Sequence, residues 1–362
     1  MFTIEKQGPR RPCQGVQKVG MIDPWLEAFP RTAAPIIDEI DSVLGYSLTR
    51  IIREGPNSLL SSTPHAQPAI MATSVLILRI LETEFCFDIA ERIDFTLGHS
   101  LGEFAALVAS GHLRFEDALW LYGMVAIVTE PDHLPRLVEA VEKFVAAPRS
   151  GRADSGGADS DVPPIQQVLI ANANSRNQIV LSGNIERIKT LVAHLRQFLG
   201  HDPRAVRLNS DSPFHSPIMR PAVATMHGLL AGKSRTPGMQ DEDMVTFPGR
   251  VQCVSNVSAR PFESREELKD LLARSCLETV RWWDSIRYLD QQEKVRRWIG
   301  IGPGKVGRNL VGKEVGMRGT DAVKGGGVWA VTDPSEIHEL LRGLEETDPL
   351  LEEEERIIGD EP

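Results

Sequence analysis

A serine between two glycines, in the sequence G-H-S-L-G at residues 98–102, is the feature that most constrains the fold of this chain. The segment I-D-F-T-L at 93–97 before it predicts a short strand, and residues 101–110 predict a helix that ends at Gly111. This pattern on a sharp strand-to-helix turn is typical of a nucleophile elbow, with Ser100 as the nucleophile. We expect both glycines to be required, because the turn leaves no room for a Cβ on either side of the serine. The alternative is an ordinary turn that contains a serine.

A serine nucleophile needs a general base, and the chain has nine histidines. His99 adjoins Ser100, but consecutive side chains on a sharp turn diverge, so we interpret His99 as structural. His215 lies in S-P-F-H-S at a predicted strand-to-helix junction, from which it could reach the elbow. From residue chemistry alone, His215 is a candidate base whose role stays open. The helix after Ser100 would direct N–H groups and its positive end toward a developing oxyanion.

The rest of the chain alternates helical and strand-like segments, which predicts an α/β fold. Predicted helices cover 23–44, 47–54, 68–87, 134–146, 185–199, 217–230, 264–275, 279–289 and 305–315, and predicted strands cover 123–128, 166–171, 178–182, 204–209, 250–254 and 296–301. The order of the central segments resembles a split β-α-β unit inserted into a larger body, with a Gly/Ser/Asp-rich loop at 148–164. We therefore expect a large α/β-hydrolase-like body with a parallel sheet (12–121 and 210–342), an inserted small ferredoxin-like subdomain (122–209) and an acidic tail (343–362).

Composition limits the functional classes. A net charge of -10 argues against non-specific nucleic-acid binding, and no run of 18 apolar residues predicts a membrane span. Cys13, Cys86, Cys253 and Cys276 show no C-x-x-C spacing, so we expect no zinc site or redox pair. We interpret them as reduced, mostly buried thiols in an intracellular compartment. The cations near the N-terminus precede no apolar segment, so a secretory signal is not predicted.

Six short segments recur in the order found in one enzyme family. They are P-x-Q-G-x-Q at 12–17, TPHAQPAI at 63–70, GHSLGEFAALVASG at 98–111, N-S with Q-I-V-L-S-G at 174–183, SPFHSPIMRPA at 212–222 and G-P-G at 302–304. Together they resemble the malonyl-CoA:acyl-carrier-protein transacylases, most closely the fungal, mitochondrial-type members. The resemblance covers about residues 12–315.

The resemblance implies malonyl transfer in fatty acid biosynthesis through a malonyl-serine intermediate. It assigns Ser100 as nucleophile and His215 as base, with backbone carbonyls rather than a carboxylate orienting the histidine. The backbone N–H groups of Gln14 and Leu101 would hold the oxyanion. Malonyl-CoA is then the donor, and the phosphopantetheine thiol of acyl carrier protein is the acceptor.

The same resemblance implies the substrate contacts. Gln67, Asn174 and Phe214 correspond to substrate-binding positions of the family. A bulky Phe214 would leave little room for a 2-methyl branch on the acyl chain, although it could also simply pack. The resemblance implies no cofactor besides the CoA thioester substrate, no metal and a mitochondrial location, and we expect a monomer.

The chain departs from the family pattern where the substrate carboxylate should bind. The family carries an arginine on the helix after the nucleophile, whereas no arginine lies between Arg114 and Arg136 here, and 115–123 runs directly into the predicted strand. Another cation substitutes, or the protein handles neutral acyl groups, or the chain is an altered or incomplete version of an active enzyme, which we favour. Cys13 also replaces a family glycine, and Ser275 replaces a glutamine whose carbonyl steadies the histidine.

Residues 281–324 hold ten Lys and Arg against five Asp and Glu, although the whole chain is acidic. Acyl carrier proteins are acidic, so this segment, which includes Arg308 and Lys313, is a candidate docking surface. A solvated face with scattered charge is the alternative. Two other functions also remain open at this point: a serine hydrolase or thioesterase that uses the same elbow, and a catalytically impaired relic that lacks the carboxylate-binding arginine.

Overall fold

A computed structural model describes residues 16–127, 168–175, 178–183, 188–190, 193, 214–316 and 327–347. The helices are α1 Asp23–Ala28, α2 Pro30–Leu44, α3 Leu48–Glu54, α4 Asn57–Leu60, α5 Thr63–Phe85, α6 Ile89–Arg92, α7 Gly102–Ala109, α8 Phe115–Ile127, α9 Arg220–Leu230, α10 Arg265–Arg274, α11 Trp282–Gln291, α12 Val306–Val315 and α13 over 337–347. The strands are β1 Phe95–Leu97, β2 Val168–Ser175, β3 Gln178–Gly183, β4 Gln252–Val254, β5 Trp298–Ile301 and β6 Val328–Val331.

The long helix α5 forms the centre of the hydrophobic core. Its apolar residues lie on all sides, and Met71, Leu76 and Ile80 are fully buried. α2, α7 and α8 pack against it. Burying one such side chain stabilises the fold by about 1.5–3 kcal/mol, so this helix anchors the elements that carry the elbow.

Three strand pairs are present in the described residues. β1 pairs with β4 in parallel, with Thr96 opposite Cys253, and β5 pairs with β6 in parallel. β2 and β3 form an antiparallel hairpin. Val280, just before α11, bonds to this hairpin, since its N–H donates to Ala171 O at 2.8 Å and its carbonyl accepts from Ala173 N at 2.9 Å. The fold is therefore mixed α/β, and the hairpin is joined to the segment that precedes α11.

Most sequence-predicted elements within the described residues are confirmed, with boundaries shifted by a few residues. The predicted helix 23–44 is two helices, because Phe29 leaves helical geometry before Pro30 begins α2. The strand predicted at 123–128 is wrong, because α8 continues as a helix through Ile127. The short apolar run fitted both periods, and the preceding buried turns of α8 extend it as a helix. α4, α6, β6 and α13 were not predicted.

Several sequence predictions fall on segments outside the described residues. These are the helix at 134–146, the loop at 148–164, most of the helix at 185–199, the strand at 204–209, Cys13 and the acidic tail beyond residue 347. Within the described ranges, the helices are all too short or too polar to cross a bilayer.

The three described cysteines are free, as expected, but they are not mostly buried. Cys253 is buried, Cys276 is partly buried and Cys86 is exposed. Cys86 is the residue that ends α5, in a left-handed conformation with φ of 51°.

Candidate active site

Ser100 lies on a sharp turn between the end of β1 and the start of α7. Its φ is +53°, a left-handed conformation that non-glycine residues seldom adopt. The turn is closed by Gly102 N–H donating to His99 O at 3.0 Å and by Glu103 N–H donating to Ser100 O at 2.9 Å. The serine therefore stands at the N-terminus of a helix, where the helix dipole favours negative charge.

The two glycines of the motif are not equivalent. A Cβ on Gly98 would lie 1.9 Å from Gly102 O and 2.0 Å from Gly102 C, so no side chain fits there. A Cβ on Gly102 would meet nothing within 4 Å. The prediction that both glycines are sterically required is thus confirmed for Gly98 and wrong for Gly102, because Gly102 lies in the open first turn of α7.

His215 is hydrogen-bonded to the nucleophile although 115 positions separate the two in sequence. Its Nε2 is 2.7 Å from Ser100 Oγ, and its Nδ1 is 2.9 Å from Glu278 O. A carbonyl oxygen only accepts, so Nδ1 carries the proton and Nε2 accepts from the serine hydroxyl. The backbone N–H of His215 also donates to Cys276 O at 2.7 Å. Residues 276–278 thus hold the imidazole by main-chain carbonyls, as the family resemblance implies.

Burial sets the protonation state of this imidazole. His215 is 8% exposed, and desolvation lowers its pKa to about 4, against the opposing effects of the Glu278 and Ser275 carbonyls. At neutral pH the ring is therefore uncharged and able to take a proton from Ser100. Since Ser275 acts through its main-chain oxygen, its side chain makes no difference to this contact.

A small cavity of about 50 Å³ opens at the Ser100–His215 pair. Its wall is largely apolar and includes two of the residues predicted to bind substrate, Gln67 and Phe214. The complete lining is Gln67, Ser100, Leu101, Phe104, Phe214, His215, Met226, Leu272, Ser275 and Cys276. Among these described residues there is no Lys or Arg, so this wall offers an acyl carboxylate no cationic partner.

The other predicted site residues have different positions. Leu101 immediately precedes α7 and lines the cavity, whereas Gln14 lies outside the described residues. Asn174, on β2, bonds to His99, with Oδ1 2.7 Å from His99 Nε2, and it is not part of the cavity wall. The His99 ring also packs edge-on against Trp282. These contacts agree with the interpretation of His99 as a structural residue rather than the general base.

Two residues that sequence reasoning missed support the elbow. Asn256, after β4, bonds through its side chain to both Gly98 and Ser100, and Glu103 bonds to the backbone of Asn256. The sequence offered one available signal for Glu103, an acidic residue inside the apolar helix 101–110. The sequence offered no signal for Asn256, because its side chain contacts a residue 156 positions away in the chain.

Several cations of the basic segment 281–324 are engaged in contacts within the chain. Lys305 forms an ion pair with Glu336, and Arg308 Nε donates to Val328 O at 3.0 Å. Arg281 pairs with Asp284 at 2.9 Å. These contacts reduce the charge free for a partner, and the docking role of the segment stays a prediction.

Comparison with known proteins gives the family. The model of the acyl transferase domain matches residues 12–280. The malonyl CoA-acyl carrier protein transacylase of Bacillus subtilis (strain 168) is 33% identical over 337 residues, covering 92% of this chain and 96% of the relative. The protein of that name from Escherichia coli (strain K12) is 28% identical over 296 residues, covering 82% and 88%.

Solved structures of similar fold point to the same family. The acyl-carrier-protein-S-malonyltransferase from Bartonella henselae superposes with a TM-score of 0.69 at 27% identity, covering 92% of this chain and 97% of that one. The MCAT from Streptococcus pneumoniae gives a TM-score of 0.69 at 27% identity, covering 91% and 97%. With a serine–histidine pair at a strand-to-helix elbow, the chain belongs to the acyl transferase domain family and is an acyltransferase.

Proposed function

We propose that this protein transfers a malonyl group from malonyl-CoA to the phosphopantetheine thiol of acyl carrier protein, in fatty acid biosynthesis. The observation that carries the proposal is the Ser100–His215–Glu278 carbonyl chain, in a fold similar to malonyltransferases. The relatives named malonyl CoA-acyl carrier protein transacylase support the substrate and the acceptor.

In the first half-reaction, Ser100 Oγ attacks the thioester carbonyl of malonyl-CoA while His215 Nε2 takes the hydroxyl proton. The carbonyl oxygen becomes an oxyanion at the N-terminus of α7, where the Leu101 N–H is our candidate donor together with that of Gln14. The C–S bond then breaks, and the CoA sulfur leaves with the proton from His215. The product is malonyl-Ser100 and free CoA.

The second half-reaction uses the same groups in reverse. His215 takes the proton of the phosphopantetheine thiol, and the sulfur attacks the ester carbonyl of malonyl-Ser100. The C–O bond breaks, and His215 returns the proton to Ser100 Oγ. Every proton and electron pair is accounted for by the serine, the imidazole and the two thiols, so the reaction needs no cofactor or metal.

Pre-steady-state release of CoA on mixing with malonyl-CoA tests the first half. We expect a burst that approaches one CoA per chain, with malonyl attached to Ser100 in the mass spectrum, and no burst from Ser100→Ala. The hydrolase alternative differs in the acceptor: free malonate would form at the same rate with and without acyl carrier protein. Dominant malonate release in the presence of carrier protein would refute the transferase proposal.

Acyl selectivity follows from the cavity wall. The described wall carries no cation, and a charge-assisted hydrogen bond to a carboxylate is worth about 1.5–3 kcal/mol. Without a cation from the remaining chain, malonyl-CoA would lose about 10- to 150-fold of its advantage over acetyl-CoA. The acylation rates with malonyl-CoA and acetyl-CoA decide between two alternatives. A strong preference for malonyl-CoA means that another cation takes the place of the family arginine, and similar rates mean that the malonyl site is impaired.

The finer assignments are also proposals. The fungal, mitochondrial type rests on motif resemblance, whereas the relatives reported above are bacterial. The hydrolase-like body and the ferredoxin-like subdomain at 122–209 are supported by the parallel pair β1–β4 and by the β2–β3 hairpin. Import into isolated mitochondria and sedimentation of the purified chain test the mitochondrial location and the monomeric state.

A docking role for the basic segment 281–324 is tested by charge reversal. Arg308→Glu with Lys313→Glu should raise the KM for carrier protein and leave the acylation rate with malonyl-CoA unchanged. An unchanged KM for carrier protein would exclude these two residues from the docking surface.

A further inference from the structure

Asn256 contacts the nucleophile turn at two points. Its side-chain Oδ1 accepts a hydrogen bond from Ser100 N–H at 2.9 Å, and its Nδ2 donates to Gly98 O at 2.8 Å. One carboxamide thus satisfies a donor and an acceptor that flank His99. Asn256 is 5% exposed, so water does not readily replace these bonds.

The main chain of Asn256 contacts the segment that holds the base. Its carbonyl accepts from Arg281 N–H at 2.9 Å. Arg281 closes the segment 276–281, in which Cys276 O and Glu278 O accept from the backbone and the ring of His215. Asn256 is therefore bonded on one side to the turn that carries the nucleophile and on the other to the support of the base.

Glu103 fixes the backbone of Asn256 from within the core. It lies in the first turn of α7, is 0% exposed, and accepts Asn256 N–H through Oε1 at 2.8 Å. Its Oε2 is buried without a hydrogen-bond partner in the described part of the chain. A fully buried carboxyl group that makes a single hydrogen bond is unfavourable for stability. This cost points to a role for Glu103 in holding Asn256.

We propose that Asn256 is a positioning residue for the acyl-transfer reaction, with Glu103 orienting it. Ser100 is held at a positive φ that its own side chain does not favour, and the carboxamide of Asn256 fixes that conformation from both ends. Loss of the carboxamide lets the turn relax and moves Oγ away from His215 Nε2. The inference rests on the proposed function only for the identity of the acyl donor.

Two rates measured on Asn256→Ala test the proposal. One is CoA release from malonyl-CoA, and the other is labelling of Ser100 by a fluorophosphonate, in which Oγ displaces fluoride from phosphorus and the hydroxyl proton leaves by way of His215. We expect both rates to fall about 10- to 100-fold, since a displacement near 1 Å costs about that much, while the KM for malonyl-CoA changes by less than about threefold.

Matched variants separate positioning from stability. Asp117→Asn changes another fully buried carboxyl, which accepts hydrogen bonds from Ser234 Oγ and Arg235 N–H. None of these three residues lines the cavity at Ser100. Asp117→Asn should lower the melting temperature and leave both rates unchanged. Glu103→Ala should slow both rates, and Glu103→Gln, which keeps an oxygen for Asn256 N–H, should restore them.

Asn256→Asp gives a second readout if the alanine variant does not fold. It keeps an acceptor for Ser100 N–H but places a second oxygen against Gly98 O in place of the Nδ2 donor, so we expect both rates to lie below those of the native chain. Rates within about twofold of the native chain in folded Asn256 variants would overturn the proposal. A native chain that reacts with the fluorophosphonate but not with malonyl-CoA would refute the proposed donor and leave the positioning test intact.

Discussion

Replacing Gly98 by alanine, with Gly102→Ala as its matched control, tests the geometry of the elbow. In Gly98→Ala the added methyl carbon would lie 1.9 Å from Gly102 O and 2.5 Å from Glu103 N. To reach the 3.0 Å that real Cβ contacts rarely fall below, the start of α7 must move by about 1 Å. Overpacking of this kind destabilises a fold by about 1–3 kcal/mol, and the same displacement lowers a reaction rate about 100-fold.

Gly102→Ala introduces the same methyl group into open space four residues later. Nothing lies within 4 Å of the new Cβ, and alanine favours a helix over glycine by up to about 1 kcal/mol. We therefore expect unchanged or slightly increased stability. Urea unfolding gives the free energy of unfolding, and burst release of CoA gives the acylation rate. Equal damage by the two substitutions, or an unaffected Gly98→Ala protein, would show that the close approach of Gly98 to α7 is not what determines the elbow.

Three further predictions concern the side chains of His215, Glu103 and Phe214. Because burial lowers the pKa of His215 to about 4, the acylation rate should stay level from pH 8 to about 5; a fall through pH 6.5 would show a solvated imidazole. Burial raises the pKa of Glu103 to about 7, so the native state binds its proton more tightly than the unfolded state and stability falls as pH rises from about 4.5 to 7. Glu103→Gln should flatten the unfolding free energy over that range, an effect of up to about 3 kcal/mol; a slope equal to that of the native chain would contradict the cause. Phe214→Ala should raise the rate with methylmalonyl-CoA relative to malonyl-CoA by about 10-fold or more, as judged by competition between the two donors; an unchanged ratio would mean that Phe214 only packs.

The sequence by itself determined the local structure of the site. The strand, the turn and the helix around Ser100 follow from the strand-like segment 93–97, a glycine that must lack a side chain and the helical segment 101–110. The long helix α5 followed from its continuous apolar composition. The motif around His215 identified the general base only through its resemblance to the family. From residue chemistry alone, the role of His215 as the partner of Ser100 stayed open.

Tertiary structure decided the contacts that act across long distances in sequence. The carbonyls on His215, the bonds of Asn256 to the elbow and the burial that lowers the pKa of the imidazole join segments 63 to 158 positions apart. No local pattern specifies such contacts, because they depend on packing and on which distant backbone atoms each side chain meets. The same reason explains α8, where the run 123–128 fits a strand and a helix equally well. Only the structure shows that residues 123–127 are helical, as the last part of α8, whose body packs against α5.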